Sequence, residues 1–236
     1  KPLLKLTDVP LIFSLAFSPD GKQLAAGGSD FKERPTLNIW DWQNRTITRT
    51  LPDYDICGSV CWSKIDYSPD GRLLAYPGQD GGIQVGDVTT GEIVAHLKGH
   101  SKAAERVSFS PDGTRLVSSS YYSPRDQNVK IWDWAAGREV LTLGLKAAVT
   151  DVAFGPRGQW LAVATVAPTT DKMIRLWKLE KGDKATFSQV LVGLKRRTLS
   201  MAFSSDGQFL AAGGFGNQVA IWNMNATDPY RMFVGH

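Results

Sequence analysis

Within one short stretch the chain carries His100, Ser118 and Asp126, the three residue types of a hydrolytic relay. Acyl transfer by such a set needs a serine on a strained elbow, a histidine within reach as base, and donors for an oxyanion. Ser118 stands in "LVSSS", with no Gly-x-Ser-x-Gly elbow around it. The other two histidines are His96 and His236, and nothing resembles a phosphate loop, a His-Glu-x-x-His pair or a dinucleotide fingerprint. Cys57 and Cys61 are the two cysteines, without a second pair or a neighbouring histidine to complete a zinc site. No catalytic residue, metal or cofactor is therefore expected. Two thiols in 236 residues do not make a disulfide framework, which points to a reducing, cytoplasmic setting.

The elements that hold these residues repeat. "LAFSPDGKQLAAGG", "IDYSPDGRLLAYPG", "VSFSPDGTRLVSSS", "VAFGPRGQWLAVAT" and "MAFSSDGQFLAAGG" share an aromatic residue, a tight turn and an apolar run. The aromatics are Phe17, Tyr67, Phe109, Phe154 and Phe203, at intervals of 42 to 50 residues. In Ser-Pro-Asp-Gly the proline presets φ at the second turn position, aspartate suits the third, and glycine takes the left-handed position that closes a bulged hairpin. The flanks are rich in β-branched and aromatic residues over strand lengths, and helical spacing is not sustained. A third strand follows each hairpin: "LNIWDW", "VKIWDW", "IRLWKL" and "VAIWNM", with Gly86 in "IQVGDV" where the others have tryptophan. A short turn then leads to a fourth strand, so each unit is a four-stranded meander.

The Trp-Asp pairs at Trp40 and Trp132, the Gly-His pairs at Gly99 and Gly235, and the three intact Ser-Pro-Asp-Gly turns make the chain resemble the WD40-repeat β-propeller family over essentially its whole length. The resemblance implies an all-β propeller of antiparallel meander blades. It places them at approximately 11–51, 58–98, 101–144, 147–193 and 197–234, after a leading strand at 2–6. It also reassigns the triad-like residues. Blades of this family are braced by hydrogen bonds among His, Ser, Asp and Trp, which here map onto His100, Ser118, Asp126 and Trp132. Leu145 and Leu194 stand at the His position of the fourth and fifth repeats, and Ala26 and Ala212 at the Ser position of the first and fifth, so those blades are expected to rely on apolar packing.

For function the resemblance implies a non-enzymatic scaffold that holds a protein or peptide on its loop-rich top face. The alternative is a regulatory or sensor propeller of a larger multidomain protein, such as a kinase, NTPase or protease fusion. From the leading aromatic to the Trp position there are 19 residues in repeats two and five but 23 in the others, which predicts enlarged top loops at 29–36, 121–128 and 166–173. Aromatic and arginine residues dominate interface hot spots. The candidate contacts are therefore Phe31, Lys32, Arg34, Tyr121, Tyr122 and Arg125 on the loops, with Lys102, Arg106, Arg196 and Arg197 on the links into the first strands.

Net charge is +4, from 27 basic and 23 acidic residues. That surplus falls short of the sustained basic stripe a nucleic-acid surface requires, and no apolar run reaches the 18 residues of a membrane span. A leading strand plus five complete four-stranded units leaves one strand surplus. The expectation is a slice of a larger, about seven-bladed propeller whose ring is closed by further blades or another chain.

Overall fold

The computed structural model describes residues 11–29, 34–55, 63–101, 103–120, 128–145, 147–166, 172–194, 196–226 and 229–235. The leading strand expected at 2–6 lies outside them. Within them the chain forms five four-stranded antiparallel sheets, each a meander in chain order, arranged as propeller blades. Blade 1 holds β1 (Leu11–Phe17), β2 (Gln23–Ser29), β3 (Pro35–Asp41) and β4 (Thr46–Leu51). Blade 2 holds β5 (Asp66–Tyr67), β6 (Leu73–Pro77), β7 (Ile83–Asp87) and β8 (Ile93–Leu97). Blade 3 holds β9 (Arg106–Phe109), β10 (Leu116–Ser119), β11 (Asn128–Asp133) and β12 (Arg138–Gly144). Blade 4 holds β13 (Ala148–Phe154), β14 (Trp160–Val166), β15 (Lys172–Glu180) and β16 (Lys184–Leu191). Blade 5 holds β17 (Thr198–Phe203), β18 (Phe209–Gly214), β19 (Gln218–Asn223) and β20 (Pro229–Val234). No helix long and apolar enough to cross a membrane occurs among the described residues.

The repeated turn closes the first hairpin of every blade. Gly71 has φ of 74° and its N–H donates to Ser68 O at 2.8 Å. Ser68 Oγ donates to Asp70 at 2.6 Å and accepts from Leu73 N–H at 2.9 Å, so side chains staple the turn from both sides. Blades 1, 3 and 5 repeat these bonds through Ser18, Ser110 and Ser204. Blade 4, with Gly155-Pro156-Arg157-Gly158, keeps the backbone bonds without the side-chain staple.

Four apolar cores lie between consecutive blades. Ala25, Leu37, Ile39 and Leu51 of blade 1 pack on Tyr67, Leu74 and Tyr76 of blade 2. The same relation recurs between blades 2 and 3, 3 and 4, and 4 and 5. Blades 2, 3 and 4 thus each offer one face to the blade before and the other to the blade after. Gly86 is explained by this packing, because a Cβ there would come within 3.3 Å of the Tyr76 ring and 3.5 Å of Leu51. Tyr76 fills the place that Trp132 and Trp222 fill at their own junctions, and a tryptophan at 86 would collide with it.

The brace of blade 3 is a linear chain of hydrogen bonds. Trp132 Nε1–H donates to Ser118 Oγ at 2.8 Å, and Ser118 Oγ lies 2.8 Å from His100 Nε2. Asp126 lies outside the described residues. In blade 5, where Ala212 replaces the serine, Trp222 turns its N–H to Val192 O at 3.0 Å. Trp40 and Trp177, facing Ala26 and Val163 at the serine position, find no acceptor among the described residues. Removing the His100 imidazole takes from the buried Ser118 hydroxyl one of its two partners, so His100→Ala is expected to lower the unfolding free energy by about 1–3 kcal/mol. An unchanged urea midpoint would contradict this. Ala26→Ser supplies the acceptor that Trp40 lacks and is expected to raise stability by about 0.5–1.5 kcal/mol in the same assay.

Candidate interaction face

The innermost strands line the propeller axis, and three positions before its aromatic each strand, or for blade 2 the link entering it, carries a polar residue: Ser14, Lys64, Arg106, Asp151 and Ser200. A polar side chain in so apolar a strand must find partners, and most of these find them on another blade. Ser14 Oγ accepts from Ile65 N–H of blade 2 at 3.0 Å. Asp151 accepts from Met201 N–H of blade 5 at 2.7 Å and from its own neighbour Val152 N–H at 2.9 Å. Lys64 Nζ of blade 2 reaches Asp151 Oδ1 at 3.3 Å and Val152 O at 3.1 Å. Beside Lys64, Asp66 accepts from Ser108 Oγ and Phe109 N–H of blade 3, both at 2.8 Å. Burial pushes the Asp66 carboxyl above the ordinary carboxylate range, and these donors only partly offset it.

Arg106, expected as a partner contact, is corrected by this arrangement. It is 7% exposed, and its Nε–H donates to Thr150 O at 2.8 Å, so it ties blade 3 to blade 4. Arg196 and Arg197 fare differently. Arg196 is exposed, and its stem lies over the β18–β19 turn, where a Cβ on Gly216 would meet its Cγ at 3.1 Å. The Arg197 guanidinium sits 5.9 Å from the centre of the Phe215 ring, and Phe215 N–H donates to Arg197 O at 3.0 Å. Burial, with the nearby Arg106 charge, lowers the Arg197 pKa, while Glu105 opposes that shift. Phe215 is 51% exposed and was not singled out from sequence. The signal was available, since "GGFGN" sets an aromatic in a glycine-rich turn where apolar residues have no local packing role.

Arg34 is exposed at the β2–β3 turn. Phe31, Lys32, Lys102, Tyr121, Tyr122 and Arg125 lie outside the described residues. The enlarged top loops of repeats one and four take a different form from the one expected. β2 and β3 pair from Gln23–Asp41 out to Ser29–Pro35, and β14 and β15 out to Val166–Lys172, whereas β6 and β7 stop at Pro77–Ile83. Much of the extra length thus becomes additional paired hairpin, because backbone groups in register satisfy one another more completely than a wider loop does.

Two further features bear on chemistry. Ser118 is fully buried and already receives the Trp132 N–H, so no substrate reaches its oxygen. Among the described residues, no group of three His, Cys, Asp or Glu is placed to hold a metal ion. The second tryptophans also have structural partners. Trp42 and Trp134 donate their indole N–H to Gly21 O at 2.8 Å and Gly113 O at 2.7 Å, and pack edge-on against Phe17 and Phe109. At another corner, Asp80 binds Lys98 at 2.8 Å and His96 at 2.9 Å. The Lys98 hydrogen bond chiefly holds its carboxyl down to about 2.

The raised Asp66 carboxyl has a thermodynamic signature. A group whose native pKa exceeds its unfolded value of 3.8 binds more protons when folded. Its stabilising contribution is complete below that value and is lost as pH rises through the native pKa. The unfolding free energy of the wild type relative to Asp66→Asn is therefore expected to fall with rising pH and then level off. Urea denaturation of both proteins from about pH 3 to about pH 8 measures this, and a difference that grows with pH would refute it.

Comparison with known proteins agrees with this geometry. The model of the WD domain, G-beta repeat, matches residues 3–32, 91–133, 137–178 and 190–223, more than half of the chain. Protein groucho of Drosophila melanogaster is 26% identical over 211 residues, which cover 89% of this chain and 26% of that protein. The chain thus spans about a quarter of the length of this relative. With the family model matched over more than half of the chain and every blade built as the same four-stranded meander, the chain belongs to the WD40-repeat family.

Proposed function

We propose that this propeller is a non-catalytic interaction platform that holds a protein or peptide segment on the face formed by the β2–β3-type turns and the links between blades. The observation that carries this reading is the cluster of Arg196, Arg197 and exposed Phe215 at one corner of that face. Two guanidinium groups beside an accessible ring suit a segment that carries carboxylates and an apolar or aromatic side chain. The rigid blades below hold the cluster in place, so little ordering entropy is lost on binding. Membership of the WD40 family supports the class of function. A segment from another domain of the same polypeptide would be held by the same groups. A cytoplasmic setting fits the two cysteines.

A nucleic-acid partner is disfavoured, because the tryptophans best suited to stacking on bases are engaged with their own turns. Panning a displayed library of linear acidic peptides against the immobilised chain, followed by fluorescence anisotropy on the selected peptides, tests the reading. Arg197→Glu and Phe215→Ala are each expected to weaken binding about tenfold or more, equivalent to about 1.4 kcal/mol, with unchanged far-UV circular dichroism. Selected peptides that bind both variants as tightly as the wild type would overturn it.

A further inference from the structure

The first-hairpin turns lie at the opposite end of the sheets from the β18–β19 turn that carries Phe215. At that far end the junction of blades 2 and 3 holds a cavity of about 430 Å³. Asp70 comes from the β5–β6 turn, Asp87 from the end of β7, Asp112 from the β9–β10 turn, and Trp134 from the second position after Trp132. No other of the four junctions has this set in the corresponding places. Val88, Leu179 or Met224 stands where Trp134 does, and at the last two junctions Arg157 or Lys178 replaces at least one carboxylate.

The parts of this groove are held in place by bonds that leave its charge unspent. Trp134 N–H donates to Gly113 O at 2.7 Å, and the indole meets the Phe109 ring edge-on with centres 6.1 Å apart, so the aromatic wall is fixed. Each carboxylate commits Oδ1 to its own turn. Asp70 accepts from Ser68 Oγ and Arg72 N–H, Asp112 from Ser110 Oγ and Thr114 N–H, and Asp87 from the N–H groups of Thr89 and Thr90. The bonds from Ser68 to Asp70 and from Thr90 to Asp87 hold those carboxyls below the ordinary range, while for Asp112 desolvation opposes the shift and the Ser110 bond prevails over it. All three are therefore charged at neutral pH. Arg72 is the one cation of the groove, 3.9 Å from Asp87 Oδ2 with its side chain 74% exposed, a pair that water largely screens. A chain of net charge +4 thus carries a locally negative, aromatic-walled groove.

We infer that this groove receives an arginine side chain from a basic segment of a partner protein, at a site separate from the Arg196, Arg197 and Phe215 corner. The argument is charge complementarity beside a ring. A planar guanidinium lies flat against an indole while donating to more than one carboxylate, which a compact ammonium does less well. Leu73 and Val94 supply apolar surface for the aliphatic stem, and Val94 is 49% exposed, so there is surface left to cover. The same carboxylates repel nucleic acid and acidic peptides. The two ends of the sheets then select segments of opposite charge, and a partner at one end does not compete with a partner at the other.

Fluorescence anisotropy with fluorescein-labelled peptides of alternating glycine and arginine, or glycine and lysine, tests this at about 150 mM salt, where distant charges are screened. Asp70→Asn combined with Asp112→Asn keeps the Oδ1 acceptor of each turn and removes two charges from the groove. Asp20→Asn combined with Asp206→Asn removes two charges from the same turn position in blades 1 and 5 and serves as the control. The arginine peptide is expected to bind the wild type about threefold or more tighter than the lysine peptide. The groove pair of substitutions is expected to weaken it about fivefold or more, the control pair by less than about twofold. Val94→Lys, on the exposed side of β8, is expected to match the groove pair, and Phe215→Ala to change nothing. Far-UV circular dichroism and the urea midpoint check that each variant is folded. Equal losses from the groove and control pairs would mean attraction to overall charge and would overturn the inference. Full binding by the groove pair or by Val94→Lys would overturn it too, as would a lysine peptide that binds as tightly as the arginine one. Loss with Phe215→Ala alone would move the peptide to the other end of the sheets and refute this site without touching the function proposed for that corner.

Discussion

A four-stranded blade has two apolar faces and can bury neither by itself. Everything else in this protein follows from the need to press each face against a neighbour. Every large aliphatic side chain moved from water into such a junction contributes roughly 1.5–3 kcal/mol, and each of the four cores gathers eight or more buried residues. The hairpin turns, the tryptophans of the third strands and the polar residues near the axis serve to set blade against blade at a fixed spacing. Stability is then shared among nearest neighbours, as in other repeat architectures, and a defect at one junction is felt mainly there.

The junctions tolerate changes of residue when volume and hydrogen bonding are restored nearby. Gly86 would leave a hole if Tyr76, on the neighbouring strand, did not lay its ring across it. Trp222 loses the serine acceptor and turns to a carbonyl in the link before its blade. Near the axis the solution is electrostatic. Asp66 and Asp151 are carboxylates taken out of water, a costly placement that is offset by backbone N–H donors from the next blade and, for Asp151, by Lys64 from two blades away. These bonds cross between sheets where no ladder can, so they specify the relation of blades while the apolar cores supply most of the attraction.

The face proposed for partner binding is separate from this scaffold in position. The brace among His100, Ser118 and Trp132 sets a histidine against a serine as a hydrolase does, but the serine is buried and its oxygen already takes the Trp132 N–H. The turns and links above the sheets are free of that duty. There, Arg196, Arg197 and Phe215 are held by contacts that leave the ring of Phe215 half open to solvent. Loops mounted on rigid sheets are the places where a binding surface can change without disturbing the core.

The blade plan was legible in the sequence, since turn chemistry, period-two strands and a tryptophan in the third strand are local signals repeated five times with few departures. The brace could be placed by position for the same reason. Phe215 and the axial carboxylates Asp66 and Asp151 were not found in advance, although a polar residue within an apolar strand, and an aromatic within a glycine-rich turn, were there to be read. Arg106 looked like a surface cation because nothing in its own strand says that Thr150 of the next blade waits for it. By itself, then, the sequence determined the strands, their turns and which side of each strand is apolar. Only the tertiary structure decided which polar groups meet across blades and which apolar faces remain uncovered, because those depend on contacts between residues some 40 to 90 positions apart that no local pattern encodes.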